Sequence, residues 1–231
     1  MQNKIIRITL LYLIVCCSYF LMFIEPTKFI ALTKEDALIE NLGAMFYLLA
    51  SIFFIYIYVK SIGFGNNWWK LKTNRNIFFL LLGIAFFGAF AEEISWGQRI
   101  FNWGTPEIIS ETNYQHETNI HNLNFFMYSG FSFERIFNFF WITYCFIIPF
   151  LNKYLTSARR FFKTMSLPIV PIGIGMLLLT NYILIHIIQH YHFYETREIL
   201  LGGLEIKETN FAFIFCMLAA YWALKKPYKS E

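Results

Sequence analysis

Residues 38–59 read LIENLGAMFYLLASIFFIYIYV, and no charge follows Glu40 until Lys60. Wound as an α-helix at about 1.5 Å per residue, such a run crosses the roughly 30 Å hydrocarbon core of a bilayer. A helix suits that setting because it pairs its own N–H and C=O groups where no water can. The run is bracketed by charges of opposite sign, with Glu35, Asp36 and Glu40 before it and Lys60 after it.

Five more stretches repeat the pattern: Ile5–Ile24, Asn76–Ala91, Ile136–Leu151, Leu167–His186 and Thr209–Leu224. With Leu38–Val59 they predict an all-α polytopic membrane bundle of about six transmembrane helices, forming a single domain over 1–231. Composition agrees. The 231 residues are 57% hydrophobic and 21% aromatic, with 28 Phe, and only 15% are charged, where a soluble domain carries about 25%. That excludes a soluble enzyme, a secreted disulfide scaffold and a disordered chain. Cys16, Cys17, Cys145 and Cys216 all sit in apolar runs, where cysteine acts as a small hydrophobe. The Asn76 and Thr209 runs are short, so their bounding carboxylates belong at the membrane edge. Ile5–Ile24 has Lys4 and Arg7 at its start but lacks a small-x-small cleavage site, and is expected to be a retained helix.

The loops alternate in sign. Of 19 basic residues, 13 fall before the first span, between the second and third, between the fourth and fifth, and after the sixth. Of 15 acidic residues, all but Glu231 fall on the other side. The positive-inside rule then predicts cytoplasmic termini, with 99–135 and 187–207 facing out. The net charge of +4 is spread between spans rather than pooled, so membrane lipids, and not nucleic acid, are the expected partners.

The ionisable groups of interest are all on the predicted outer side. His186 and His190 stand one turn apart, a spacing that lets two imidazoles share an ion or simply meet water and headgroups. Glu92 and Glu93 end the third run; adjacent carboxylates at a membrane edge need a cation or a raised pKa, which suits a metal ligand or general base. The plainer reading pairs Glu92 with Arg99. Between Arg99 and Tyr128, the residues Asn113, Glu117, His121 and Asn124 fall at helical spacing. They predict an outer re-entrant or interfacial helix acting as a lid, or else an amphipathic helix flat on the surface. Glu-Thr-Asn recurs at 111–113, 117–119 and 208–210, which reads as helix-start capping.

The stretches EEISWGQR (92–99), TPE (105–107) and QHETNIHN (115–122), with EDALIEN (35–41), resemble a family of bacterial multi-pass membrane proteins with no assigned activity. The resemblance implies membrane location and little chemistry. More loosely, His121 with His186 and His190 is similar to the histidine set that holds zinc in alkaline-ceramidase-like membrane hydrolases. Here Glu117, not serine, precedes His121 by four residues, and six spans replace seven.

Together these readings predict a metal site of His121, His186 and His190 holding zinc or another divalent ion, with Glu93, Glu92 and Glu117 as catalytic carboxylates. The function expected is a metal-dependent hydrolase of lipid or lipid-linked substrates at the outer face. The alternative is a non-enzymatic transporter, ion-binding protein or structural subunit.

Overall fold

The computed structural model describes residues 2–68, 71–113, 118–120, 123–128, 132–191 and 196–225. Helix α1 (Gln2–Ser18) passes through a 3-10 turn (Tyr19–Phe23) to α2 (Pro26–Thr33) and the long α3 (Leu38–Lys60). Strands β1 (Asn67–Trp68) and β2 (Leu71–Lys72) form a small antiparallel hairpin before α4 (Ile77–Glu93). The long connection after α4 holds three short helices, α5 (Gln98–Phe101), α6 (Glu107–Thr112) and α7 (Asn124–Tyr128). Helix α8 (Phe133–Trp141) continues through a π-helical segment (Ile142–Ile147) into α9 (Ile148–Tyr154). Helices α10 (Thr156–Thr164), α11 (Ile172–Tyr191) and α12 (Arg197–Lys225) complete the described chain.

The all-α expectation therefore stands for the described residues, the short hairpin apart. Three helical stretches, Pro26–Lys60, Phe133–Tyr154 and Ile172–Tyr191, are long and apolar enough to cross a bilayer, and Ile8–Phe23 is a shorter apolar one. That is the character of a membrane protein.

Helices α3, α4 and α12 pack on one another through aromatic rings. Phe86 of α4 lies 4.8 Å from Phe215 of α12 and 5.5 Å from Phe54 of α3, centroid to centroid. Such pairs add to the area they bury. Polar groups inside are paired, as an apolar interior requires. Asn181 on α11 accepts from the Tyr19 hydroxyl (2.8 Å) and from Asn210 Nδ2 (3.0 Å), and donates to the Lys207 carbonyl (3.0 Å). Asn210 also donates to Ser18 Oγ (2.8 Å), which ties α1, α11 and α12 together.

The π-helical segment has a local cause. Pro149 has no N–H to give, and its ring crowds the carbonyl one turn earlier. The backbone widens, and the Ile148 N–H reaches back five residues to the Thr143 carbonyl. Helix α11 meets this region through Gly175, where a Cβ would stand 2.0 Å from the Cys145 carbonyl oxygen. Small residues at such crossings let backbones approach.

The bundle has two chemically distinct ends. At one, Asn66 Nδ2 donates to the Met165 carbonyl and Asn76 Nδ2 to the Ser166 carbonyl, each at 2.7 Å. The basic 60–76 and 152–166 connections thus meet. At the other, Thr209 Oγ1 donates to the Ile39 carbonyl (2.9 Å), and Lys207 on α12 meets Glu134 at the start of α8. We refer to these as the basic and acidic ends.

Several sequence boundaries shift. The run expected at Leu167–His186 becomes helix only at Ile172, because Pro168 and Pro171 hold the preceding residues extended, and it continues to Tyr191. The run expected at Thr209–Leu224 is the second half of one helix that starts at Arg197. Glu208-Thr209-Asn210 therefore lies within a helix rather than capping one. The single lid helix is replaced by two short helices. Asn113 leaves α6 with extended backbone, pairs with Leu123 in an isolated bridge, and donates to the Asn119 carbonyl at 2.6 Å. That side-chain bond folds the chain back on itself, so Asn113 and Asn124 are on no common helix.

Candidate functional site

At the acidic end, a cavity of about 400 Å³ gathers seven carboxylates. Glu35 and Glu40 come from the turn into α3, Glu92 and Glu93 from the end of α4, and Glu198, Glu205 and Glu208 from α12. Thr33 and Asn119 contribute polar groups, and Lys34 is the one basic residue among the described lining.

Each element delivers its carboxylates for a local reason. Glu40 lies in the first turn of α3, where the helix dipole favours negative charge, and its Oε2 accepts from the Asp36 N–H at 2.6 Å. Asp36 itself has a positive φ of 63°. On α12, positions 198, 205 and 208 fall on one helical face with Gly202 between them. Gly202 is required by the close approach of α2: a Cβ there would lie 2.3 Å from Thr33 Oγ1 and 2.7 Å from Phe29.

Glu92 and Glu93 face the opposite problem, because they sit where the α4 dipole is negative. Glu92 is held by two donors, the Trp96 indole N–H at 2.5 Å and the Ile120 N–H at 2.7 Å. The chain reverses immediately beyond, with positive φ at Ser95 (47°), Trp96 (53°) and Gly97 (87°). Two of those three are not glycine, and such backbone persists only where its surroundings over-determine it. Here Thr118 supplies the restraint: its hydroxyl donates to the Ser95 carbonyl at 2.6 Å, and its N–H donates to Gln98 Oε1 at 2.9 Å. Gln98 in turn donates to Thr105 Oγ1 at 2.7 Å. The EEISWGQ stretch is thus a tight reversal that brings the long connection back over the cavity rim at Asn119.

Crowding shows in the electrostatics. Burial first, then the charges of Glu208, Glu40 and Glu35, pushes the Glu205 carboxyl up to about 8, against the pull of Lys207. Behind the cavity, burial lowers the pKa of Lys207, but Glu208 and Glu134 outweigh it and the net direction is up. Its Nζ lies 3.1 Å from Glu134 and 3.5 Å from Glu208.

Of the residues singled out from the sequence, Glu92 and Glu93 both line the cavity. Glu92 accepts from Trp96 and from the Ile120 N–H; the expected Arg99 partner has a side chain outside the described residues. His186 and His190 are exposed on α11 and are not among the cavity's lining residues. The His186 ring packs edge-on against Tyr182 at 4.5 Å, and His190 against Tyr191 at 4.9 Å. Glu117 and His121 lie outside the described residues, as do His116 and His192. Among the described residues no group of three or more His, Cys, Asp or Glu could hold a metal ion. Sequence reading missed Glu35, Glu198 and Glu205 as site residues. The spacing of 198, 205 and 208 was the available signal, hidden because that stretch reads as a loop.

Comparison with protein-family models, with curated proteins and with solved structures finds no match for this chain.

Proposed function

We propose that the chain is a six-span protein of the bacterial cytoplasmic membrane, with both termini inside, that binds a cationic ligand at its outer face. The single observation that carries this is the convergence of seven carboxylates from three elements on one cavity with one lysine. A field of that sign attracts and concentrates cations. An organic amine held among the carboxylates would also relieve the crowding that raises Glu205. The six-span reading is supported by the two ends: the connections rich in Lys and Arg meet each other, as do the elements rich in Glu.

A second reading, the metal-dependent hydrolase of lipid-linked substrates, is favoured by Glu205, whose raised pKa near neutrality suits proton transfer. It would use His121, His186 and His190 for zinc or another divalent ion, with Glu93, Glu92 and Glu117 assisting.

Titration of detergent-purified protein with organic amines and, separately, with Zn²⁺ and Mn²⁺, followed by thermal melting and metal analysis, separates the two. Saturable stabilisation lost in Glu93→Gln and Glu205→Gln but kept in His190→Ala supports the acidic cavity. Tightly held metal lost in His190→Ala and kept in Glu205→Gln supports the histidine site. No stabilisation by any cation, organic amines included, overturns the leading reading.

A further inference from the structure

At the basic end, a second and smaller groove lies between α9 with its π-helical approach and α11. Phe146, Phe150 and Tyr154 recur one turn apart along one wall, Ile172 and Met176 form the other, and buried Cys145 forms the floor. The wall residues are open to the surroundings: Phe150 is 52% exposed, Tyr154 58% and Met176 43%. The groove ends at a cation. Lys153 lines its mouth and lies 4.9 Å over the Tyr154 ring.

Helix α10 extends that charge. Arg159 donates to the Asn152 and Lys153 carbonyls at 2.9 and 2.8 Å, which folds α10 back against the end of α9. The helix then presents Arg160 and Lys163 to solvent beside exposed Leu155 and Phe161, with Phe162 as its buried anchor. Basic residues beside exposed apolar ones on a short helix mark a segment that lies in the headgroup plane. The apolar groove therefore begins where headgroups would be and runs toward the hydrocarbon.

We infer that this groove seats the headgroup-proximal part of one acyl chain of an anionic phospholipid whose phosphate is met by Lys153, with Arg160 and Lys163 of α10 beside it. The inference rests on the membrane reading above but not on the acidic cavity. Size argues against a partner helix, because the groove holds about 120 Å³ and a helix with its side chains is about 10–12 Å across. Charge argues against a neutral lipid, since the mouth is basic. A juxtamembrane cation near an anionic surface contributes enough for about a fivefold change in affinity.

The test is native mass spectrometry of the full chain in detergent, titrated with phosphatidylglycerol and, separately, phosphatidylcholine. Wild type should retain one phosphatidylglycerol at concentrations where phosphatidylcholine is lost. Lys153→Gln, a surface change, should cut that preference about fivefold. Met176→Trp should fill the groove and abolish retention, and Lys225→Gln, at the same end on α12, should change nothing. Equal retention of the two lipids overturns the site. So does an unchanged Lys153→Gln, or a Lys225→Gln that matches it, which would mean diffuse surface charge. A Met176→Trp variant that keeps its lipid, or that instead converts a dimer to a monomer, overturns it as well. Carbonate-washed membranes check the underlying premise: a chain that stays in the membrane yet shows no phosphatidylglycerol preference defeats the lipid site alone.

Discussion

Lys207 Nζ lies 3.1 Å from Glu134 Oε1, joining a 5% exposed lysine on α12 to a 60% exposed glutamate that opens α8. The two partners are unequal. Removing Glu134 strands a buried charge, whereas removing Lys207 returns Glu134 to solvent. Because Glu208 also faces Lys207, Glu134→Gln should cost about 1 kcal/mol and Glu134→Gln with Glu208→Gln about 3 kcal/mol. Lys207→Met should stay within about 1 kcal/mol of wild type. Thermal or denaturant melting in detergent reads all three.

Glu205 sets a pH dependence whose sign follows from proton counting. Its folded pKa, about 8, is above its ordinary value of 4.5. Between those values the folded protein holds a proton that the unfolded chain has released. Stability from this group is therefore fullest below about 4.5, falls as pH rises toward 8, and levels off beyond. Glu205→Gln should flatten that slope in melting curves taken from pH 5 to 9. Cation affinity should run the other way and strengthen through the same window.

Glu92 and Glu93 should separate by role. Glu92→Ala leaves the Trp96 indole and the Ile120 N–H without their acceptor, so it should lower the melting temperature and expose the 95–120 connection to protease. The cost should be about 1–3 kcal/mol. Glu93→Gln should weaken cation binding with little change in melting. A reversal of the two phenotypes would reassign them.

Gly175 and Gly202 both sit at close crossings, yet their alanine variants should differ. A Cβ on Gly202 meets buried side chains, Thr33 and Phe29, which must repack; on Gly175 it meets the Cys145 backbone carbonyl, which has no rotamer to change. Gly202→Ala should cost about 1 kcal/mol and Gly175→Ala about 3 kcal/mol, measured by unfolding in detergent.

Sidedness is open to cysteine labelling at two exposed positions, Glu111 and Arg159. An impermeant reagent on intact cells should modify Glu111→Cys and leave Arg159→Cys untouched until the membrane is opened. Labelling of Arg159→Cys in intact cells would reverse the orientation.

How much the sequence disclosed varied with what each residue depended on. Helix α3 was legible because its limits are chemical, with carboxylates before Leu38 and Lys60 at its end. The first half of α12 was not. Glu205, Lys207 and Glu208 look like loop residues to any hydropathy reading, and only the fold shows that they line a cavity or pair with Glu134. Glu92 and Glu93 stood out from their place at the end of an apolar run. Their company did not, since Glu35 and Glu198 are brought near by packing of α2, α3 and α12. The one-turn spacing of His186 and His190 is that of helix α11, but periodicity alone could not say that both would be exposed.

The π-helical segment before Pro149 introduces a phase offset within a single rod. One extra residue in a turn rotates everything beyond it by about 100° relative to an uninterrupted helix. Phe137 and Trp141 can therefore face α12 and α11 above the offset, while Phe150 and Lys153 face a different sector below it. Deleting one residue from 142–147 would keep the rod helical and swing its lower half out of register, carrying Lys153 away from Ile172 and Met176. At this point in the chain, length is more tightly constrained than side-chain identity.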